Sequence, residues 1–354
     1  MAAVRSAQVV FTNHTDEPLG KLAQTLPHGV WRNAAEPPFA ITTGETVWWE
    51  SVSDRALTGT ESTVRDGIGT SGAELTVHWD NPFAGRNTYD ERASRGWTAL
   101  RTGGIGENIR GEYGLERTGW RTTTFRPSIH GFKFANFRPV GTTARTIDLG
   151  ITTIGIGDAH NGLCGGMAFA SLDYYLSGVP IPQQALAPAS EGQPLFDYLV
   201  SRLIDSVDIP AFPLRLFGIM APTCLDTHQG ALEPVGVMDG RSALMIREAW
   251  PQIRRWIDAG VPTPICLLKV KDSLDPSDLQ HNQQVLVWGY YFDGTALSLA
   301  IYDPNRPSDD GCTITLDTAR TDVVIGVRAK PPDLGPVHTF IPMAYQKVTP
   351  PAIA

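Results

Sequence analysis

The period of the hydrophobic pattern changes once along this chain, and that change limits the folds that the chain can adopt. Residues 1–90 hold short alternating segments such as AQVVFTN, ETVWWES and AELTVHWD, separated by stretches rich in Gly, Pro and Asp. This spacing is typical of an antiparallel β-sandwich. After residue 126, helical segments come first and apolar strands follow, which predicts an α+β domain.

We therefore predict two domains, as a length of 354 residues also suggests. An all-β domain covers residues 1–90, a Gly- and Arg-rich linker with little regular structure covers 91–125, and an α+β domain covers 126–354. The predicted helices of the second domain are MAFASLDYYLSG, PLFDYLVSRLIDSV and REAWPQIRRWIDAG, and its predicted strands are TPICLLKV, QQVLVWGYYF, ALSLAIYD and CTITLD.

Charge and cysteine content exclude several classes of function. The net charge of −8 argues against nucleic acid as the main partner and against binding that depends on attraction to anionic lipid. The four cysteines form no CxxC motif and no Cys/His cluster, so we expect no metal and no cofactor. The sequence contains neither a recognisable secretory signal nor a membrane-spanning run. We expect a soluble protein, and the route by which it would leave the cell stays open.

Two strings in the first domain carry a family resemblance. HGVWRNAAEPPFAITTGETVWWESVSDRALTGTESTVRD and VHWDNPFAGRNTYD, over about residues 6–90, resemble the aegerolysin family, and most of all its bacterial crystal-protein branch. Ser62 stands where that family commonly has Gly. The resemblance implies a single β-sandwich that recognises membrane lipid or a cell surface, without a catalytic role. It also implies a pore-forming partner protein, with which some members of the family act.

The aromatic residues of this domain are candidates for lipid binding. Tryptophan suits an interface because it joins an apolar body to a polar N–H group. Trp48 and Trp49 are adjacent on a predicted strand and must point to opposite faces, so one belongs to the core and the other to the surface. The set either forms a recognition surface or packs in the core, and Glu50 either holds a choline-like head group beside an aromatic ring or caps a turn. The candidates are Trp31, Trp48, Trp49, Trp79 and Glu50.

The string NGLCGGMAFASLDYYLSG places Cys164 at the start of a predicted helix, where the helix dipole lowers a thiol pKa. We expect Gly165 and Gly166 to leave room for a substrate backbone. Together with QHNQQVLVWGYYF and ALSLAIYDPNRP, the string resembles papain-like cysteine peptidases of the bacteriocin-processing type, over about residues 125–320. The resemblance implies that Cys164 is a nucleophile, that Asp303 is the orienting acid, and that the substrate is a peptide or amide.

The remaining positions depart from that family. Gln283 falls where the catalytic base belongs, and an amide cannot take a proton from a thiol. His281 is displaced from that position by about 6.6 Å on a regular strand, so it reaches the site only through a bulge. Asp158 stands where the family has a Gln that donates to the oxyanion. The other oxyanion candidates are the backbone N–H of Cys164 and the side chain of Asn161 or His160. Either Cys164, His281 and Asp303 form an active site, or the domain is a pseudoenzyme.

Three functions follow from these observations. The first is a lipid-recognition sandwich fused to a cysteine hydrolase. The second is a non-catalytic, toxin-like protein that binds a membrane or another protein, and the third is a structural or storage protein. The reactivity of the Cys164 thiol separates the first function from the other two.

Overall fold

The computed structural model describes residues 5–104, 106–136, 146–148, 153–155, 162–188, 192–208, 211–227, 240–320 and 323–353. Backbone contacts divide the chain into two units. The first unit comprises Met1–Trp120, Tyr291–Leu297 and Asp317–Asp322, and the second comprises Arg121–Tyr290, Ser298–Leu316 and Val323–Ala354. The described residues form mainly β-sheets, with fewer helices.

The first unit is built on strands that run from the start of the described chain to residue 117. They are β1 (Ser6–Asn13), β2 (Leu19–His28), β3 (Val30–Trp31), β4 (Ala40–Ile41), β5 (Thr46–Val52), β6 (Thr60–Ile68), β7 (Ala73–Asn81), β8 (Thr88–Ala93), β9 (Trp97–Gly103) and β10 (Asn108–Arg117). One sheet has the order β3-β5-β1-β10-β9 and the other β4-β2-β6-β7-β8. Buried side chains from both sheets form one hydrophobic cluster, so the unit is a two-layer β arrangement.

The segment interpreted as a linker, residues 91–125, contains two of these strands. β10 lies between β1 and β9, and it pairs with β1 in parallel over eight residues. Glycines made this segment resemble a loop, but in β10 they permit close packing. A Cβ atom at Gly114 would lie 3.1 Å from the carbonyl oxygen of Thr12. The linker prediction is therefore wrong, and the β unit extends well beyond residue 90.

The sequence patterns also missed β2 and most of β6. The string RDGIGTSG is one of the Gly- and Asp-rich stretches that separate the predicted strands, but its first four residues complete β6. Asp66 and Gly67 are common in turns, yet the Asp66 side chain lies on the buried face of the strand. In β2 the pairing register with β6 shifts twice, and such irregularities break the alternation on which strand prediction depends.

The second unit combines a sheet with helices. Its strands are β11 (Arg121–Thr122), β12 (Thr146–Asp148), β13 (Thr153–Gly155), β14 (Thr263–Leu268), β15 (Gln283–Asp293), β16 (Ala296–Tyr302), β17 (Thr313–Asp317), β18 (Arg328–Lys330) and β19 (Thr339–Pro342). Its helices are α1 (Pro127–His130), α2 (Cys164–Ser177), α3 (Pro194–Val207), α4 (Ala211–Met220), α5 (Arg241–Ala243) and α6 (Trp250–Asp258). The main sheet has the order β18-β17-β16-β15-β14-β19, with β11 beside β15 and with β12 and β13 forming a separate pair.

The predicted helices and strands of this unit agree closely with the observed ones. α2 ends where Gly178 adopts a left-handed conformation with φ of 63°. The helix predicted over REAWPQIRRWIDAG corresponds to a π-helical turn, Leu244–Ala249, followed by α6. Among the described residues, no helix is both long and apolar enough to cross a membrane.

Candidate functional site

Cys164 is the first residue of α2, as the sequence indicates. Its Sγ atom accepts a hydrogen bond from the backbone N–H of Gln284 in β15, at 3.4 Å. Gln284 lies directly opposite Cys266 of β14 in the sheet. The thiol is therefore held at the start of β15, where it satisfies a backbone donor of that strand.

The electrostatic surroundings of Cys164 do not favour a thiolate. Burial raises the pKa of the Cys164 thiol above its ordinary value, and the nearby carboxylate of Asp303 raises it further. The N–H groups of Gln284 and Gly165 and the ammonium of Lys269 act in the opposite direction, but the net shift is upward. This direction is opposite to the lowered pKa that the helix position predicts, because the effect of burial outweighs the two hydrogen bonds and the charge of Lys269.

Gln283 bridges two charged side chains. Its Nε2 donates to Oδ1 of Asp303 at 2.6 Å, and its Oε1 accepts from Nζ of Lys269 at 2.8 Å. Asp303 follows β16, and the same Oδ1 also accepts from the backbone N–H of Asn305 at 2.9 Å. Gln283 and Asp303 are both buried. Both ends of the Gln283 amide are thus engaged, and the orientation of the amide is fixed by the charges beside it.

His281 is turned to another partner. It is the last residue of a 3₁₀ turn, Pro276–His281, that precedes β15. Its Nδ1 lies 3.0 Å from Oδ1 of Asp278, and 46% of its side chain is exposed. The backbone before β15 is irregular, as an approach of His281 to the site would require, but the described hydrogen bond of the ring is to Asp278.

The glycines after Cys164 serve helix packing. A Cβ atom at Gly165 would lie 1.7 Å from Oε1 of Gln284, and a Cβ atom at Gly166 would lie 2.1 Å from the carbonyl oxygen of Leu199 in α3. The space beside these residues is occupied by β15 and α3. The expectation that the two glycines leave room for a substrate backbone is therefore wrong.

Asn136 is a site residue that the sequence reasoning missed. Its Oδ1 accepts from the backbone N–H of Leu163 at 2.7 Å, and its Nδ2 donates to Oδ1 of Asn305 at 3.1 Å. It therefore links the start of α2 to the loop that carries Asp303. The only sequence signal was its place in PSIHGFKFANF, within the papain-like resemblance. The oxyanion candidates Asp158, His160 and Asn161 lie outside the described residues.

The aromatic candidates of the first unit separate into core and surface. Trp49 and Trp79 are fully buried, whereas 53% of Trp48 is exposed, as the alternation of a strand requires. Trp31 is half-buried and packs edge-on against Trp79, with ring centroids 6.1 Å apart. Glu50 is buried and pairs with Arg32 at 2.9 Å, so its carboxylate is already neutralised.

Metal and disulfide chemistry find no support in the part of the chain that the structure describes. No group of three or more His, Cys, Asp or Glu side chains among those residues could hold a metal ion. Cys164, Cys224, Cys266 and Cys312 all lie in that part of the chain, and they form no disulfide with one another.

Similarity of this chain to known proteins is found among solved structures. No family model and no curated protein matches the chain. Among solved structures, the lipid binding protein Nakanori matches at 16% identity and a TM-score of 0.28, over 32% of this chain and 71% of its own. IP-1A from Alcaligenes faecalis matches at 13% identity and a TM-score of 0.28, over 32% of this chain and 92% of its own. Both TM-scores are below 0.5, so neither match defines the fold.

Proposed function

We propose that this chain is a non-catalytic binding protein made of an aegerolysin-like β-sandwich and a papain-like α+β unit. The sandwich docks on a lipid surface through the face that bears Trp48. The second unit keeps the arrangement of a cysteine hydrolase, in which Cys164 begins a helix and Asp303 follows a strand, but its site is catalytically inactive. This is the second of the three functions that the sequence left open.

The observation that carries the proposal is the Gln283 amide, held between Asp303 and Lys269. A cysteine hydrolase needs a base that takes the thiol proton and an acid that orients that base. An amide nitrogen donates hydrogen bonds but accepts no proton at ordinary pH. Asp303 therefore orients a group that cannot activate Cys164.

A cysteine hydrolase is the second candidate function, with a peptide or amide as its substrate. It is favoured by the hydrogen bond from the backbone of Gln284 to the Cys164 thiol, because Gln284 directly follows Gln283, the residue at the base position. It would need His281 to leave Asp278 and reach the sulfur. The hydrogen bond between His281 and Asp278 and the raised pKa of the Cys164 thiol both argue against that rearrangement.

Support for lipid docking comes from Trp48. It is a large amphipathic side chain, more than half exposed, on a strand whose neighbouring tryptophan is in the core. Burial of an exposed tryptophan in a membrane interface stabilises binding by about 2 kcal/mol. Trp49 and Trp79 belong to the core, so they take no direct part in docking.

Alkylation of Cys164 by iodoacetamide tests whether the site is catalytically inactive. The rate is measured against pH by mass spectrometry, in the native protein and in His281→Ala. We expect a rate that rises only at or above the pKa of a free thiol, about 8.5, and that is the same in both proteins. Rapid alkylation below neutral pH that is lost in His281→Ala would overturn the proposal in favour of a hydrolase.

Vesicle binding tests the docking surface separately. The probes are phosphatidylcholine vesicles, which carry the choline head group, and phosphatidylglycerol vesicles, which carry a net negative charge. We expect Trp48→Ala to weaken binding to the first by about thirtyfold. Trp256→Ala is the matched control, because Trp256 lies on α6 of the other unit and is similarly exposed. Equal binding of the two variants, or no binding by the native protein, would remove the lipid assignment.

A further inference from the structure

A groove of about 650 Å³ lies at the C-terminal end of α2, in the second unit. Its walls come from α1 and the residues after it, from the last turn of α2, and from the segment that follows Gly178. Cys164 opens the same helix, and fourteen helical residues span about 20 Å, so this groove is separate from the candidate site. Its volume falls within the range of small-molecule sites.

One side of the groove is apolar and uncovered. Ile129 is 61% exposed and Val179 is 38% exposed, and both line the groove. Large aliphatic side chains on a concave surface stabilise the binding of an alkyl chain, because their contact with water is removed.

The polar side of the groove holds an ammonium group without an ion-pair partner among the described residues. Nζ of Lys133 donates to the carbonyl oxygen of Ser128 at 2.6 Å, and it has two further N–H donors. Its neighbouring carboxylate, Asp310, accepts instead from the backbone N–H and the hydroxyl of Ser128, at 2.8 and 2.6 Å. Burial lowers the pKa of Lys133, which indicates that its charge is partly withdrawn from water.

His130 adds a second donor, and its tautomer is fixed by the backbone. Nδ1 of His130 accepts from the N–H of Arg126 at 2.9 Å, so it carries no proton. The proton of the neutral ring is therefore on Nε2. The ring packs against Phe125 and Tyr175, with centroids 5.4 and 5.1 Å away, so its orientation is constrained.

We propose that this groove binds an amphiphilic carboxylate, a short aliphatic acid whose head group meets Lys133 and His130 and whose chain covers Ile129 and Val179. The arrangement supplies hydrogen-bond donors and one positive charge to the head group, which fits an acceptor with a single negative charge. Asp310 disfavours a doubly charged head group such as a phosphate monoester. This site is independent of the proposed function.

Calorimetric titration of the full-length chain tests the proposal, with octanoate as the probe. Acetate has the same charge without the chain, and octanamide has the same chain without the charge. We expect octanoate to bind at least about tenfold more tightly than either. Lys133→Met should weaken octanoate binding by a similar factor, Lys133→Arg should retain most of it, and Ile129→Ser should weaken octanoate but not acetate.

Lys330→Met is the matched control, because Lys330 is an exposed lysine on β18 of the same unit. Its affinity for octanoate should equal that of the native protein. The proposal is overturned if octanoate does not bind at millimolar concentration. It is also overturned if octanoate binds equally to Lys133→Met and Lys330→Met, or if octanamide binds as tightly as octanoate.

Discussion

Nε2 of Gln283 lies 2.6 Å from Oδ1 of Asp303, so the buried carboxylate of this site orients an amide. In a cysteine hydrolase the same carboxylate would orient an imidazole, which moves the thiol proton. With Gln283 in place of a histidine, the hydrogen bond to Asp303 is kept, but the side chain at this position cannot accept the thiol proton. Lys269 holds the other end of the amide, so the pair stabilises the junction of β14, β15 and the loop after β16.

Replacing Gln283 by Glu should make the stability of this junction depend on pH. The new carboxylate would face the buried carboxylate of Asp303, and burial and this like charge raise its pKa above the unfolded value, against the attraction of Lys269 at its other oxygen. Stability is then retained below the unfolded pKa and is lost as the pH rises through the folded one. We expect Gln283→Glu to lower the free energy of unfolding by about 3 kcal/mol at neutral pH, and by less in acid.

Chemical denaturation at several pH values measures this difference. Gln184→Glu is the control, since Gln184 is exposed and should tolerate the charge. A Gln283→Glu protein as stable as Gln184→Glu at neutral pH would mean that the amide is not confined between Lys269 and Asp303.

Replacing Gly166 by Ala should destabilise the contact of α2 with α3. An exposed Gly→Ala change inside a helix stabilises it by about 1 kcal/mol, but here the new Cβ would lie 2.1 Å from the Leu199 carbonyl oxygen. We expect a net loss of about 3 kcal/mol, read from thermal or denaturant unfolding. Gly326→Ala is the control, because a Cβ atom at Gly326 would meet no other atom within 4 Å. Equal effects of the two changes would contradict the packing role.

Replacing Asp173 by Asn should release the C-terminal segment. The fully buried carboxylate of Asp173 accepts hydrogen bonds from Arg202, from the Tyr345 hydroxyl and from the backbone N–H of Val348. Removal of its charge leaves Arg202 buried without its buried ion-pair partner, at a cost of about 3–5 kcal/mol. We expect faster hydrogen exchange at the backbone amide of Val348 than in Asp205→Asn, whose carboxylate pairs with Arg202 but is half exposed. Equal exchange in the two variants would show that Asp173 does not anchor the segment.

Asp66 should make the first unit more stable at low pH than at neutral pH. Burial raises the pKa of Asp66 to about 6, against the attraction of Lys21. Because the folded pKa is above the unfolded one, this contribution is present below about pH 4 and is lost as the pH rises through 6. The difference between the folded and the unfolded pKa of Asp66 corresponds to about 3 kcal/mol of stability.

Hydrogen exchange of the β6 amides measures this effect locally. Between pH 4 and pH 7 the native protein should lose about 3 kcal/mol of protection relative to Asp66→Asn, after correction for the intrinsic exchange rates. Asp54→Asn, at an exposed position, should behave as the native protein does. The same pH dependence in all three proteins would contradict the burial of Asp66.

The elements with an uninterrupted period could be predicted from the sequence. α3 has helical periodicity, α2 has a clear end at Gly178, and the alternation in β5 separates Trp48 from Trp49. The elements that were missed contain residues whose turn preference is overridden by packing. Gly114 in β10 and Asp66 in β6 resemble turn residues in sequence, and only the neighbouring strands show why each is tolerated.

The candidate site was predictable in its residue types but not in its contacts. The sequence indicates that Gln283 stands at the base position, but it cannot show that Lys269 and Asp303 engage both ends of the amide. It also assigns Gly165 and Gly166 to substrate access, because a short glycine motif does not reveal whether ligand or protein fills the space. Asn136 is far from Leu163 in sequence, and their hydrogen bond depends on the tertiary fold.

Direct titration of the Cys164 thiol tests whether this cysteine is an activated nucleophile. The thiolate is followed by ultraviolet absorbance, as the difference between the native protein and Cys164→Ser. We predict a single transition above the pKa of a free thiol, about 8.5, because burial raises the pKa of Cys164. A thiolate that persists below neutral pH would contradict the account and establish an ion-paired cysteine at this site.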